Sequence, residues 1–171
     1  MKVATLSLVI RPDRLRDRAE AIAPQQPRPL FLKVSPDESP AQLEQVVGAT
    51  CAAGIAGFIA TNTTLSRDGL VSPLAGEAGG LSGRPLAERA RQTVATIFGL
   101  TAGRMPIVGV GGVVSGAEAY ARIRAGASLV QLYTAMIYHG PSLPSAIARD
   151  LARRLRRDGF SSVAQAVGAD S

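Results

Sequence analysis

The chain has 171 residues, of which 46% are hydrophobic and 19% charged, with a formal net charge of +6 and one cysteine. That length suits one domain with a sizeable core, and the composition excludes a disordered chain or a disulfide-stapled one. No apolar run approaches the roughly 20 residues of a membrane-spanning helix.

The positive charge is nearly all arginine scattered along helices, with one dense cluster at Arg153, Arg154, Arg156 and Arg157. Few aromatics accompany it, so a solvated helix face is expected there and no nucleic-acid partner. His139 lacks Cys or carboxylate neighbours at ligand spacing, which argues against a metal site. Cys51 lies in an Ala-rich helical stretch and reads as a small buried hydrophobe in a reducing compartment.

Residues 1–28 fit the pattern of the rest poorly. The apolar run 3–10 follows Lys2, but Arg11, Asp13, Arg14, Arg16, Asp17 and Arg18 come straight after it, which spoils a signal-peptide reading even with Ala21 and Ala23 downstream.

From residue 29 a theme of short apolar strand, polar or glycine-rich loop and helix occurs four times. The first strand covers residues 30–34, and its helix opens at Ser39-Pro40 with Gln42 at the third helical position and stops before Gly54. Residues 57–61 form the second strand, followed by a long loop through Gly83 and a helix from near Pro85 with Leu86, Ala90, Val94 and Ile97 on one face.

The third strand, 107–110, runs into Gly111-Gly112, where the absence of Cβ atoms lets the backbone approach a ligand. Ser115 and Glu118 then stand in capping-box relation, so free N–H groups and a positive helix end lie beside the glycines, a site suited to phosphate. After Gly126-Ala-Ser comes the fourth strand, 129–133, with Thr134 at its carboxyl end. A last helix covers 144–158 with Leu151 and Leu155 on its apolar side, and the tail after Phe160 is a short docking or frayed segment.

Alternating units of this kind imply a parallel α/β sheet with right-handed crossovers. A complete (β/α)8 barrel takes about 250 residues, so four units amount to half of one. An open doubly wound sheet is the alternative, with its crevice also at the strands' carboxyl ends.

Three further groups carry chemistry. Lys33 stands inside an apolar strand, where an ammonium is costly unless an anionic ligand, an internal ion pair or snorkelling relieves it. Thr61, Asn62, Thr63 and Thr64 crowd short donor-acceptor side chains at the end of the second strand, although such residues also make turns. The loop Gly79-Gly80-Leu81-Ser82-Gly83 can bring backbone N–H groups and one hydroxyl to a ligand.

Lys33-Val-Ser-Pro-Asp37, Ile59-Ala-Thr-Asn-Thr-Thr64, Gly79-Gly-Leu-Ser-Gly-Arg-Pro-Leu86, Ile107-Val-Gly-Val-Gly-Gly112 and Gly126-Ala-Ser-Leu-Val-Gln-Leu-Tyr-Thr134 together resemble, in order, successive signatures of dihydroorotate dehydrogenase. The Ser-Gly-Arg-Pro-Leu and Gln-Leu-Tyr-Thr forms resemble the class 2, quinone-reducing branch. The resemblance implies that residues 29–171 are the carboxyl-terminal half of an FMN-binding (β/α)8 TIM barrel, with 1–28 a separate, poorly matching segment. It implies FMN as cofactor, dihydroorotate and orotate as substrate and product in pyrimidine synthesis, quinone as acceptor, and a cytoplasmic or peripheral membrane location.

By the same resemblance Lys33 and Thr61 would contact the flavin and Asn62 and Thr63 the substrate, while Ser82, Gly83, Gly111, Gly112, Tyr133 and Thr134 would hold the ribityl phosphate. The family's base, a serine in an Asn-x-Ser-x-Pro-Asn type segment, belongs to the other half, and Ser35-Pro36 is not that segment. No catalytic base is therefore identified, and negligible turnover is expected of this chain alone. A second expectation is a non-catalytic flavin- or phosphate-binding half-barrel that pairs with itself or with a complementary half.

Overall fold

In the computed structural model, which describes residues 12–22 and 29–171, the four apolar runs become four parallel strands. These are β1 (Phe31–Val34), β2 (Gly57–Ala60), β3 (Ile107–Val110) and β4 (Leu129–Gln131). The sequence-based readings of residues 3–10 and of residues 23–28 lie outside the described residues.

The sheet order is β1-β2-β3-β4. Strand order follows chain order with no reversal, so there is no switch point of the kind that defines a doubly wound sheet. The helices agree. Val34, Phe58, Ala60 and Ile107 pack on one face against Leu43 and Val47 of α2 (Pro40–Ala52) and Val94 and Ile97 of α3 (Ala87–Thr101). Val130, in register with Gly109 and hence on that same face, packs with Ala119 of α4 (Gly116–Arg124) and Ile147 of α6 (Leu143–Arg157). The winding is that of consecutive units of a (β/α)8 barrel.

The opposite face carries the row Lys33, Ile59, Val108 and Leu129, with Phe31 and Gln131 beside it. Leu129 is 64% exposed and Phe31 37%. Parallel sheets ordinarily have both faces covered, and burying a side chain such as Leu or Phe is worth roughly 1.5–3 kcal/mol. This face is the one that looks inward when such a sheet closes into a barrel.

Local sequence explains where the helices begin. Ser39 Oγ accepts the Gln42 N–H and the Gln42 side chain accepts the Ser39 N–H, a complete capping box with Pro40 at the first position. A single 3-10 turn, Arg84–Leu86, leads into α3. Three helices lay outside the sequence-based pattern: α1 (Pro12–Ile22), the short α5 (Thr134–His139) that follows β4 at once, and α7 (Val163–Ala166).

The tail after Phe160 docks. Ala166 is fully buried in a cluster with Tyr120, Ile123 and Leu155, Asp170 pairs with Arg124, and the Asp170 N–H donates to the Arg124 carbonyl at 3.0 Å.

Cys51 is exposed, contrary to expectation. The buried positions of α2 are Leu43, Val47 and Thr50, an i, i+4, i+7 stripe that leaves residue 51 one step around the helix. Thr50 occupies the inward place by donating its hydroxyl to the Val46 carbonyl at 2.6 Å. In the arginine cluster, Arg153 and Arg154 pair with Asp150 and Arg157 with Asp158. Arg153 and Arg157 remain largely exposed.

Candidate functional site at the strands' carboxyl ends

A cavity of about 380 Å³ opens at the carboxyl ends of the four strands. Lys33, Thr61, Asn62, Thr63, Ser82, Gly83, Gly111, Gly112, Tyr133 and Thr134 all line it. These residues come from five separate segments of the chain, so their convergence follows from the fold and not from proximity in the chain. Gln131, Val113 and Val114, not singled out from sequence, also line it, as does Leu86, which the sequence placed only on the apolar face of a helix. Gln131 stood inside a quoted motif, but alternation along β4 was needed to see that it faces the cavity side.

Packing against α3 gives the glycine turn a reason beside the ligand approach expected from sequence. Gly111 and Gly112 have φ of +105° and +72°. A Cβ on Gly112 would lie 2.4 Å from the Ala87 Cα, and one on Gly111 would lie 2.9 Å from a Leu86 methyl. The missing side chains thus admit the start of α3 against the turn. The amides of Gly111 and Gly112 have no protein acceptor among the described residues, which leaves them available to an anion. Ser115 Oγ accepts the Glu118 N–H at 3.2 Å and caps α4. Only this half of the expected box forms, because the Glu118 side chain does not return to the Ser115 amide among the described hydrogen bonds.

On the opposite wall Ser82 Oγ and Thr134 Oγ1 are 2.9 Å apart. Gly83, at φ +80°, abuts the same threonine, since a Cβ there would sit 3.3 Å from Thr134 Cγ2. The long loop and the start of α5 therefore meet as two hydroxyls beside a glycine.

Thr61 is 2% exposed. Its N–H donates to the Val110 carbonyl at 2.9 Å, and the next amide, Asn62, turns the other way to the Val34 carbonyl at 2.8 Å. The end of β2 is thus tied to both neighbouring strands, while Asn62 and Thr63 are exposed. The Ala60–Thr61 peptide bond is cis.

Of the three fates open to Lys33, an internal ion pair is not seen among the described residues. Lys33 is exposed and makes no hydrogen bond among them. Its strand face is open, and the residue lines the cavity.

Behind these residues stands a supporting layer. Asp37 accepts from the Thr64 hydroxyl at 2.5 Å, the Leu65 N–H at 2.7 Å and Arg89 Nη1 at 2.7 Å. Burial would raise its pKa, but the bonds from Thr64, Leu65 and Arg89 hold the carboxyl below its ordinary value. Arg67 donates to the carbonyls of Thr64, Leu65, Ser66, Ala75, Glu77 and Gly79, gathering the long loop around one guanidinium. Arg122 is fully buried behind the glycine turn.

Comparison with known proteins bears on this arrangement. The family model described as dihydroorotate dehydrogenase matches residues 9–155. A relative from Roseiflexus castenholzii named dihydroorotate dehydrogenase (quinone) is 62% identical over 145 residues, 85% of this chain and 40% of that protein. One of the same name from Rhodospirillum rubrum is 54% identical over 166 residues, 96% of this chain and 45% of its own length. The crystal structure of DHODH in complex with ferulenol from Eimeria tenella superposes with a TM-score of 0.82 at 35% identity, covering 91% of this chain and 45% of that one. The chain thus spans less than half the length of these relatives.

Proposed function

The chain belongs to the dihydroorotate dehydrogenase family, and we propose on that premise that residues 29–171 supply the flavin-phosphate side of an FMN-dependent oxidation of dihydroorotate to orotate, with quinone as acceptor. The observation that carries this reading is that ten residues assigned from sequence line a single cavity at the strands' carboxyl ends. In (β/α)8 enzymes that end of the strands is where catalytic groups gather, and a phosphate site is frequently built from the last two βα loops.

The residues present fit FMN. Amides at Gly111 and Gly112 that have no acceptor among the described residues, beside the start of α4, suit its phosphate, with Ser82 and Thr134 offering hydroxyls from the opposite wall. Tyr133 and Gly83 complete that end. Lys33 and Thr61 lie where the ring system would reach, so that the Lys33 ammonium would favour negative charge on the ring. Asn62 and Thr63, exposed at the mouth, would orient the dihydroorotate through their amide and hydroxyl groups. The flavin, when bound, would supply the two-electron acceptor that side chains lack.

No Ser, Cys or His of this chain is assigned the base, so the proposal assigns binding and electrostatics to these residues and negligible turnover to the chain alone. Among the described residues no helix is long and apolar enough to cross a membrane.

Titration of the chain with FMN, followed by quenching of flavin fluorescence, tests the reading. Uptake of FMN without dihydroorotate-dependent quinone reduction is expected. Failure to take up FMN, even with the remaining segment of a relative supplied, refutes it, and turnover by the pure chain refutes the division of labour. The open sheet face, with Leu129 and Phe31 exposed, supports a second reading in which the chain is a flavin-binding module that pairs with itself or with a complementary half. Light scattering separates the two: a stable flavin-loaded dimer supports the module, and a monomer argues against self-pairing.

A further inference from the structure

Arg122 lies on α4 with 0% of its surface exposed. Its Nη2 donates to the Gly111 carbonyl at 2.8 Å and the Ala87 carbonyl at 3.0 Å, and its Nη1 to the Val110 carbonyl at 3.3 Å. All three acceptors are neutral, and Nε has no partner among the described residues. Glu118 and Glu88 act on it only through space, and Arg91 opposes them. Burial pushes its pKa down to about 10, which leaves it protonated at neutral pH. A buried cation with no carboxylate in contact is costly unless another anion compensates it.

The geometry of the turn indicates where that anion belongs. In a trans peptide the C=O and N–H of one unit point in opposite directions. Holding the Val110 and Gly111 oxygens toward the guanidinium therefore turns the amides of Gly111 and Gly112 away from it. Both glycines line the cavity, and neither amide has a protein acceptor among the described residues.

We propose that Arg122 is a positioning residue for a phosphate monoester: it locks the two peptide planes of the glycine turn so that their N–H groups face the cavity, and its buried charge is compensated by the phosphate bound across the turn. This rests on the flavin reading given above. It adds a residue that touches no ligand and yet sets selectivity for the phosphorylated form.

FMN and riboflavin differ only by the phosphate, so the ratio of their dissociation constants isolates the effect. The wild-type chain is expected to prefer FMN. Arg122→Met should lower that preference by about tenfold, in keeping with loss of charge-assisted hydrogen bonds, while riboflavin affinity changes by less than about threefold. Arg122→Lys, which keeps the charge but not the fork, should fall between. A folded Arg122→Met chain with the wild-type ratio overturns the proposal and leaves the flavin reading intact. Should Arg122→Met not fold by circular dichroism, Arg122→Lys decides: a reduced ratio supports the proposal and an unchanged one overturns it. A wild-type chain that binds inorganic phosphate but neither flavin removes the flavin reading alone, and loss of phosphate binding in the variants then supports Arg122 while its retention overturns it. A wild-type chain that binds neither flavins nor phosphate, or binds both flavins equally, overturns the phosphate site and Arg122 with it.

Discussion

Replacing Gly112 by alanine puts the account of the glycine turn at risk. The added Cβ would meet the Ala87 Cα at 2.4 Å, its Cβ at 2.5 Å and its N at 2.6 Å. Two of these are backbone atoms at the start of α3, so relief requires a shift of roughly an ångström in the helix or the turn. The left-handed φ of +72° costs an L residue roughly 1–2 kcal/mol, and overpacking of this kind adds about 1–3 kcal/mol. The sum, roughly 2–5 kcal/mol, corresponds to a fall in Tm of about 5–15 °C for a chain of this size. Gly111→Ala is the control. Its nearest obstacle is a Leu86 methyl at 2.9 Å, which can rotate away, so a smaller loss is expected. Thermal unfolding of both variants by circular dichroism provides the comparison. A Gly112→Ala chain within about 2 °C of wild type, or more stable than Gly111→Ala, would falsify the view that close approach of α3 demands the glycine.

Three further outcomes are expected. Asp37→Ala removes an acceptor shared by Thr64, Leu65 and Arg89 and should cost about 1.5–3 kcal/mol, as for hydrogen bonds to charged groups; faster hydrogen exchange at the Leu65 amide should accompany it, and unchanged exchange there would sink the idea. Arg67→Ala should speed proteolysis within residues 66–80 while leaving the β-sheet signal in circular dichroism intact, and equal cleavage rates would show that the guanidinium is not what gathers the loop. Asp158 is held at about 2 by hydrogen bonds from Arg157 and Tyr120. Its pKa is lowered in the folded state, so its stabilisation is full above the unfolded value of about 3.9 and fades as pH falls through about 2. The gap in urea midpoint between wild type and Asp158→Asn should therefore shrink as pH is lowered across that window, and a constant gap would contradict the assignment.

The sheet was legible because each strand is a short apolar run bounded by a break, and the break residues, Gly54, Gly83 and Gly126, mark changes of element with left-handed φ values of +65°, +80° and +113°. The cavity residues were legible through the motifs that hold them. What remained hidden depended on distance in three dimensions. Arg122 looks in sequence like one more helical arginine, yet it is fully buried; that Ala119 and Ile123 flank it on the buried side of α4 was the available signal. Arg67 had none, because the carbonyls it gathers are brought together by the loop's own path. For Lys33 the sequence left a choice between an anionic ligand, an internal ion pair and snorkelling, because its exposure depends on what covers the second face of the sheet, which strand sequence alone does not encode.

The Val110 carbonyl accepts from the Thr61 amide on one side and from Arg122 on the other. A single oxygen thereby joins the wall assigned to the ring system with the cradle assigned to its charged tail. The Thr61 donor is its backbone N–H, which side-chain substitution leaves in place, so a change at Arg122 reaches the end of β2 through the shared oxygen and effects at the two positions couple. A double-mutant cycle at Thr61 and Arg122 measures that coupling energy.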